Sequence, residues 1–182
     1  MHAFGPLIVA SAALLVAVAC AVPIRVGSYV ERGADLQLYR SYDFAPLEPT
    51  PTGDPRLDSN PFFTERVQAA ASRGLADRGY VRSSSDAADL LVHFHASVVQ
   101  GLDIGTIDRE RGRCPDEGGC RPYTYDAGTL VMDLVDARTG KLVWRGWAES
   151  NFQGMVDNQA LLEERIDIAM ARLLAQLPRR PA

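Results

Sequence analysis

The pattern of apolar residues predicts an α+β fold, a two-layer sandwich in which a mostly antiparallel sheet is covered on one face by two helices. Three observations carry it. Period-2 alternation recurs in several segments, three of them in the second half of the chain. Two further segments each gather one apolar face at helical spacing instead. No Gly-rich fingerprint follows a strand, which disfavours a doubly wound nucleotide-binding fold.

The chain opens on a leader. Residues 7 to 19 are unbroken apolar or small and the first charged side chain is Arg25, which is the length of a secretory h-region and short for a membrane span. It ends Ala17-Val18-Ala19-Cys20. The same residues fit an ordinary signal-peptidase site at the same bond, which would leave Cys20 unmodified. Removal of residues 1–19 leaves 20–182, enough for a single α+β domain with a real core. The formal charge is −4 and no basic stripe breaks it, so nucleic acid is not an expected partner.

Ile24 to Val30 alternates as a first strand, and Arg40 to Phe44 reads as a second. Pro46, Pro49, Pro51 and Pro55 then forbid regular pairing, so 45–60 is expected to be an extended surface loop. Asn60 is a good N-cap and Pro61 fits the first helical position. Phe63, Val67, Ala70, Ala71, Gly74 and Leu75 share one face, and Gly79 followed by Tyr80 supplies a left-handed C-cap, giving a helix over 61–78. Asp89 to Val99 is a strand with Leu90, Val92 and Phe94 on one side and Leu91, His93 and His95 on the other.

Residues 101–124 lack a period and read as a long loop. Gly128 to Asp136 and Lys141 to Glu149 are the arms of a β-hairpin, the predicted floor of the core. Asp136 and Gly140 suit a tight reversal between them. On the second arm Leu142, Trp144, Gly146 and Ala148 are expected to face the core, and Val143, Arg145, Trp147 and Glu149 to face away. The last helix begins near Asp157 or Asn158, runs to Leu177 and stops at Pro178.

There are three cysteines. If Cys20 carries lipid, Cys114 and Cys120 remain as an even pair in an oxidising compartment, and a disulfide is expected between them. The alternative joins them to His93 and His95 as a metal site. Five intervening residues do not match common zinc spacing, and no metal or other cofactor is expected. Ser97, His93 and His95 are the available residues for a hydrolase, the alternative function. No Gly-x-Ser-x-Gly or paired-carboxylate motif supports it, so no catalytic residue is assigned. Arg145 and Trp147, a cation beside an aromatic on the outward parity, form the candidate contact surface.

The small residues before Cys20 resemble a bacterial lipobox, which implies diacylglycerol on the cysteine sulfur and a lipidated, palmitate-type N-terminus. Ala17 departs from the usual leucine, and His2 replaces a basic n-region. Ala21, not aspartate, follows the cysteine, which by resemblance to sorted lipoproteins implies the outer membrane over the inner. Further motifs follow in order: Tyr39-Arg-Ser-Tyr-Asp-Phe44, Asn60-Pro61, Gly74-Leu-Ala-Asp-Arg-Gly-Tyr80, Ala88-Asp-Leu-Leu-Val92, Gly128 to Asp136 and Leu142-Val-Trp-Arg-Gly-Trp-Ala148. The ordered set resembles the bacterial envelope lipoproteins carrying the domain of unknown function numbered 4136. That resemblance implies a two-layer sandwich in the cell envelope, facing the periplasm, and no activity. The expectation is a non-enzymatic binding or scaffolding domain, held to a membrane by lipid, with an envelope protein or a small ligand as partner.

Overall fold

The structure is a computed structural model, and it describes residues 23–46, 51–103 and 123–180. Among the described residues six strands form one sheet in the order β1-β6-β5-β4-β2-β3. They are β1 (Ile24–Val30), β2 (Ser41–Phe44), β3 (Val81–Arg82), β4 (Leu90–Asp103), β5 (Tyr123–Asp136) and β6 (Leu142–Asn151). The pairs β1–β6, β6–β5 and β5–β4 are antiparallel, as expected. The short β2 pairs parallel with both β4 and β3, a minority arrangement at one end of the sheet.

The hairpin is the floor of the core. Asp136 Oδ1 accepts from the amides of Arg138 and Thr139 (2.9 and 2.8 Å), and Gly140 sits at φ +68° to close the reversal. Trp144 is wholly buried, with Leu134 and Met132 beside it across the ladder. Leu142 is a correction. The ladder shifts register between Leu134 and Val135, so Leu142 pairs with Val135 while Val143 is the buried residue. An extra residue in one strand resets the alternation beyond it, which a strict period-2 reading cannot anticipate.

Two long helices cover the face that carries Leu90, Val92, Leu134 and Trp144. They are α2 (Phe63–Ala76) and α3 (Gln159–Leu174). They lie side by side in the same sense, tied by Arg66–Glu163 and by Arg73–Asp167 at 2.6 Å. Gly74 lets α3 approach: a Cβ there would stand 2.4 Å from Leu174 Cδ1. Asn158 caps α3 by accepting from Leu161 N. Gly79, at φ +84°, ends the α2 segment as expected, with Tyr80 N returning to Leu75 O.

Several expected boundaries move. The helix expected over 61–78 begins at Phe63, because Asn60 Oδ1 and carbonyl oxygen hold Phe62 and Phe63 in a preceding turn. The last helix ends at Leu174, after which Leu173 and Leu174 carbonyls take tighter i→i+3 bonds that bring Leu177 back into the core. The loop expected over 45–60 contains a helical turn, α1 (Pro55–Asp58), with Asp54 as N-cap and Pro55 at its first position. Arg56 then joins Asp54 to Asp157 at the entry to α3. The loop expected over 101–124 gives up both ends to β4 and β5, which continue as a two-stranded ribbon beyond the last β6 partner, Ala127.

Candidate functional site: the uncovered face of the sheet

Because helices cover one face, every residue of opposite parity on the central strands is turned to the other side. On β4 these are Leu91, His93, His95 and Ser97; on β5 Thr129, Val131, Asp133 and Val135; on β6 Arg145, Trp147 and Glu149; on β1 Arg25, Gly27 and Tyr29. Trp147 is 39% exposed and Tyr29 47%. Both expected contact residues, Arg145 and Trp147, therefore lie together on this face.

Its centre is an ion pair. Arg145 and Asp133 are direct cross-strand partners, and the guanidinium grips both carboxylate oxygens, Nε to Oδ1 and Nη2 to Oδ2, at 2.6 Å each. The fork geometry makes this stronger than an ordinary surface pair, and the Asp133 hydrogen bonds push the Arg145 pKa above its usual value. Trp147 pairs with Val131 on one side and Gly27 on the other. Its indole lies over Gly27 so closely that a Cβ there would be 2.3 Å from Cζ2, which explains a glycine in the middle of β1. At the rim, Tyr29 Oη donates to Glu31 at 2.7 Å, and this bond to a carboxylate raises the phenol's pKa.

Tyr29, Glu31 and Asp133 were not singled out in the sequence. Asp133 shares the outward parity of Arg145, but unbroken counting back from the reversal sets it opposite Trp144, and only the register shift between Leu134 and Val135 brings it opposite Arg145. The signal for Tyr29 needed the β1–β6 pairing, which parity alone does not specify.

His93, His95 and Ser97 share this face along β4, about 7 Å apart in sequence steps of two. His93 stands opposite Asp133, whose oxygens are occupied by Arg145, and Ser97 stands opposite Thr129. No Ser–His–acid relay is assembled among the described residues. Cys20, Cys114 and Cys120 lie outside the described residues, as do the disulfide, the lipid attachment and the cysteine half of the metal alternative. Among the described residues no cluster of three or more metal-ligating side chains occurs, and no helix is long and apolar enough to cross a membrane.

The covered face has an apolar cleft of about 60 Å³, lined among others by Leu57, Phe63, Leu130, Phe152 and Ile166, with Arg165 donating to Ser150 Oγ at its rim.

An open, mostly antiparallel sheet with its helices on one side defines the class as an α+β sandwich. The chain belongs to the DUF4136 family, a domain of unknown function, whose model matches residues 26–179. Among solved structures it is similar to a PDZ domain protein from Parabacteroides distasonis, at 11% identity and a TM-score of 0.52. That match covers 88% of this chain, which spans only 36% of the other. It is also similar to the PelC dodecamer from Paraburkholderia phytofirmans (15% identity, 87% of this chain and 100% of that one, TM-score 0.49). A DUF4136 family protein from Bacteroides thetaiotaomicron matches at 15% identity, over 82% of this chain and 95% of that one, with a TM-score of 0.44. No curated protein matches the chain.

Proposed function

We propose that this protein is an exported lipoprotein of a bacterial envelope, anchored through Cys20 at the outer membrane, whose domain binds another envelope protein through the uncovered face of its sheet. The observation that carries the binding role is the one-sided covering of the sheet among the described residues. Helices bury one face, while the other sets Trp147 and Tyr29 beside the Arg145–Asp133 fork, an aromatic and arginine composition typical of interface anchors. Export is supported by the uncharged apolar leader ending at Ala17-Val18-Ala19-Cys20. A Cys114–Cys120 disulfide belongs to the same reading, and alkylation without reductant should then label neither thiol.

The test is crosslinking in intact membranes followed by recovery of wild type and Trp147→Ala. Trp147 is already partly exposed, so its truncation leaves most of the fold's stability, and the reading requires the crosslinked partner to disappear. A Trp147→Ala protein that keeps its partner overturns the binding face. One that unfolds makes Trp147 a cover for the sheet instead of an anchor.

A further inference from the structure

We propose that a second copy of this chain docks along β1, joining the two sheets antiparallel through a two-fold axis at Ser28. The sheet's edges are treated unequally. At one end the outermost strand is the two-residue β3. Where β4 runs past β2, its edge is occupied by Ala45 N donating to Val92 O and by Val98 N donating to Thr52 O (2.7 Å). The other edge is β1, seven residues long, with no proline and a single charge. Long unprotected edges of this kind are templates for another strand.

The direction of its hydrogen-bonding groups follows from the ladder. Glu31 N donates to Val143 O, and antiparallel pairs alternate, so Arg25, Gly27 and Tyr29 turn their amides and carbonyls to β6. Those of Val26, Ser28 and Val30 turn outward. Ile24 fits the alternation, because its carbonyl accepts from Arg172 instead of from β6. Among the described residues no hydrogen bond from another element reaches the outward groups of Val26, Ser28 or Val30.

The sequence along this edge is complementary to itself in one register. With Ser28 opposite Ser28 of the second copy, Val26 meets Val30 on the helix-covered side. On the open side Gly27 meets Tyr29, and Arg25 meets Glu31. Each contact is favourable: apolar against apolar, an aromatic beside the indole that covers the glycine, and a cation against an anion. Arg25 is available for this, being 79% exposed and only loosely paired with its own Glu149 at 3.9 Å. Trp147 already lies over Gly27, so the incoming Tyr29 would stand next to it. The surface around Trp147 would then be built from two chains. The docking holds whichever partner the open face takes.

The test uses the full exported chain in membranes. Ser28→Cys places two thiols across the axis at a Cα separation of about 5.5 Å, within disulfide reach. A disulfide dimer absent from wild type, whose native cysteines serve as the control, is the expected result; a Ser28→Cys chain that stays monomeric after oxidation overturns the proposal. Ser28→Pro removes an outward amide that β6 does not use, so the monomer should fold and chemical crosslinking of the dimer should vanish. Persistence of the dimer in that variant overturns the β1 edge as its site. If the proline variant does not fold, the charges decide: Arg25→Glu should weaken crosslinking on the order of tenfold and Arg25→Glu with Glu31→Arg should restore it. Failure of the double reversal to restore it overturns the register.

Discussion

Single side chains carry most of what is specific about this fold. Trp144 is fully buried, and its indole N–H finds no hydrogen-bond partner among the described residues. Trp144→Ala should therefore cost about 3–5 kcal/mol in urea denaturation. Trp144→Phe should cost clearly less, since the unpaired donor leaves with the indole. Asp89 has the opposite character. Burial pushes its carboxyl up, but hydrogen bonds from Arg40 N, Ser41 N and Ser41 Oγ outweigh burial and leave the pKa below the usual carboxylate value. A lowered folded-state pKa stabilises above the unfolded value, and that contribution is lost as pH falls through the folded one. Asp89→Asn should lose about 1–3 kcal/mol at neutral pH. Its deficit should shrink below about pH 4, where wild type surrenders the same term; equal deficits at pH 7 and pH 2.5 would remove Asp89 from the acid response.

At the scale of elements, motifs that looked like family signatures turn out to be clasps. Tyr39 donates to Asp136 across 97 residues, and the Asp89 bonds start β2 beside β4. Gly146, between the tryptophans, leaves room for Trp144: a Cβ would stand 2.3 Å from its Cη2 and 2.9 Å from Leu173 Cδ2. Gly146→Ala should destabilise by about 1–3 kcal/mol with loss of near-ultraviolet tryptophan dichroism, and a variant of wild-type stability would mean α3 can move aside. The hairpin, both long helices and the parity of Trp144 were legible because alternation, caps and turn residues are local signals. Leu142 was not, because a bulge is a property of two strands together. The parallel β2 was not, since four alternating residues do not say which neighbour they choose. On the candidate site, Arg145 and Trp147 were legible from parity; Tyr29 and Gly27 depended on β1 finding β6, more than a hundred residues away.

For the whole molecule, the proposed anchorage rests on Cys20, and Cys20→Ser should move the protein from the membrane fraction to the soluble one. An intact mass for the wild-type chain with no added acyl groups would count against anchorage, since firm retention takes more than one chain. The ribbon formed by β4 and β5 then acquires a direction. Ile24 lies in one cross-strand row with Ser150, Gly128 and Val98, so β1 enters at the same end of the sheet from which the ribbon leaves. The four residue steps from Cys20 to Ile24 can reach at most about 14 Å. From Val99 to Asp103 the described part of the ribbon extends about 16 Å beyond the row. A lipid-tethered domain on so short a leash cannot rise far from the bilayer: the end of the sheet where β1 begins would face the membrane, with β1 and the tryptophan face presented sideways to neighbours in its plane.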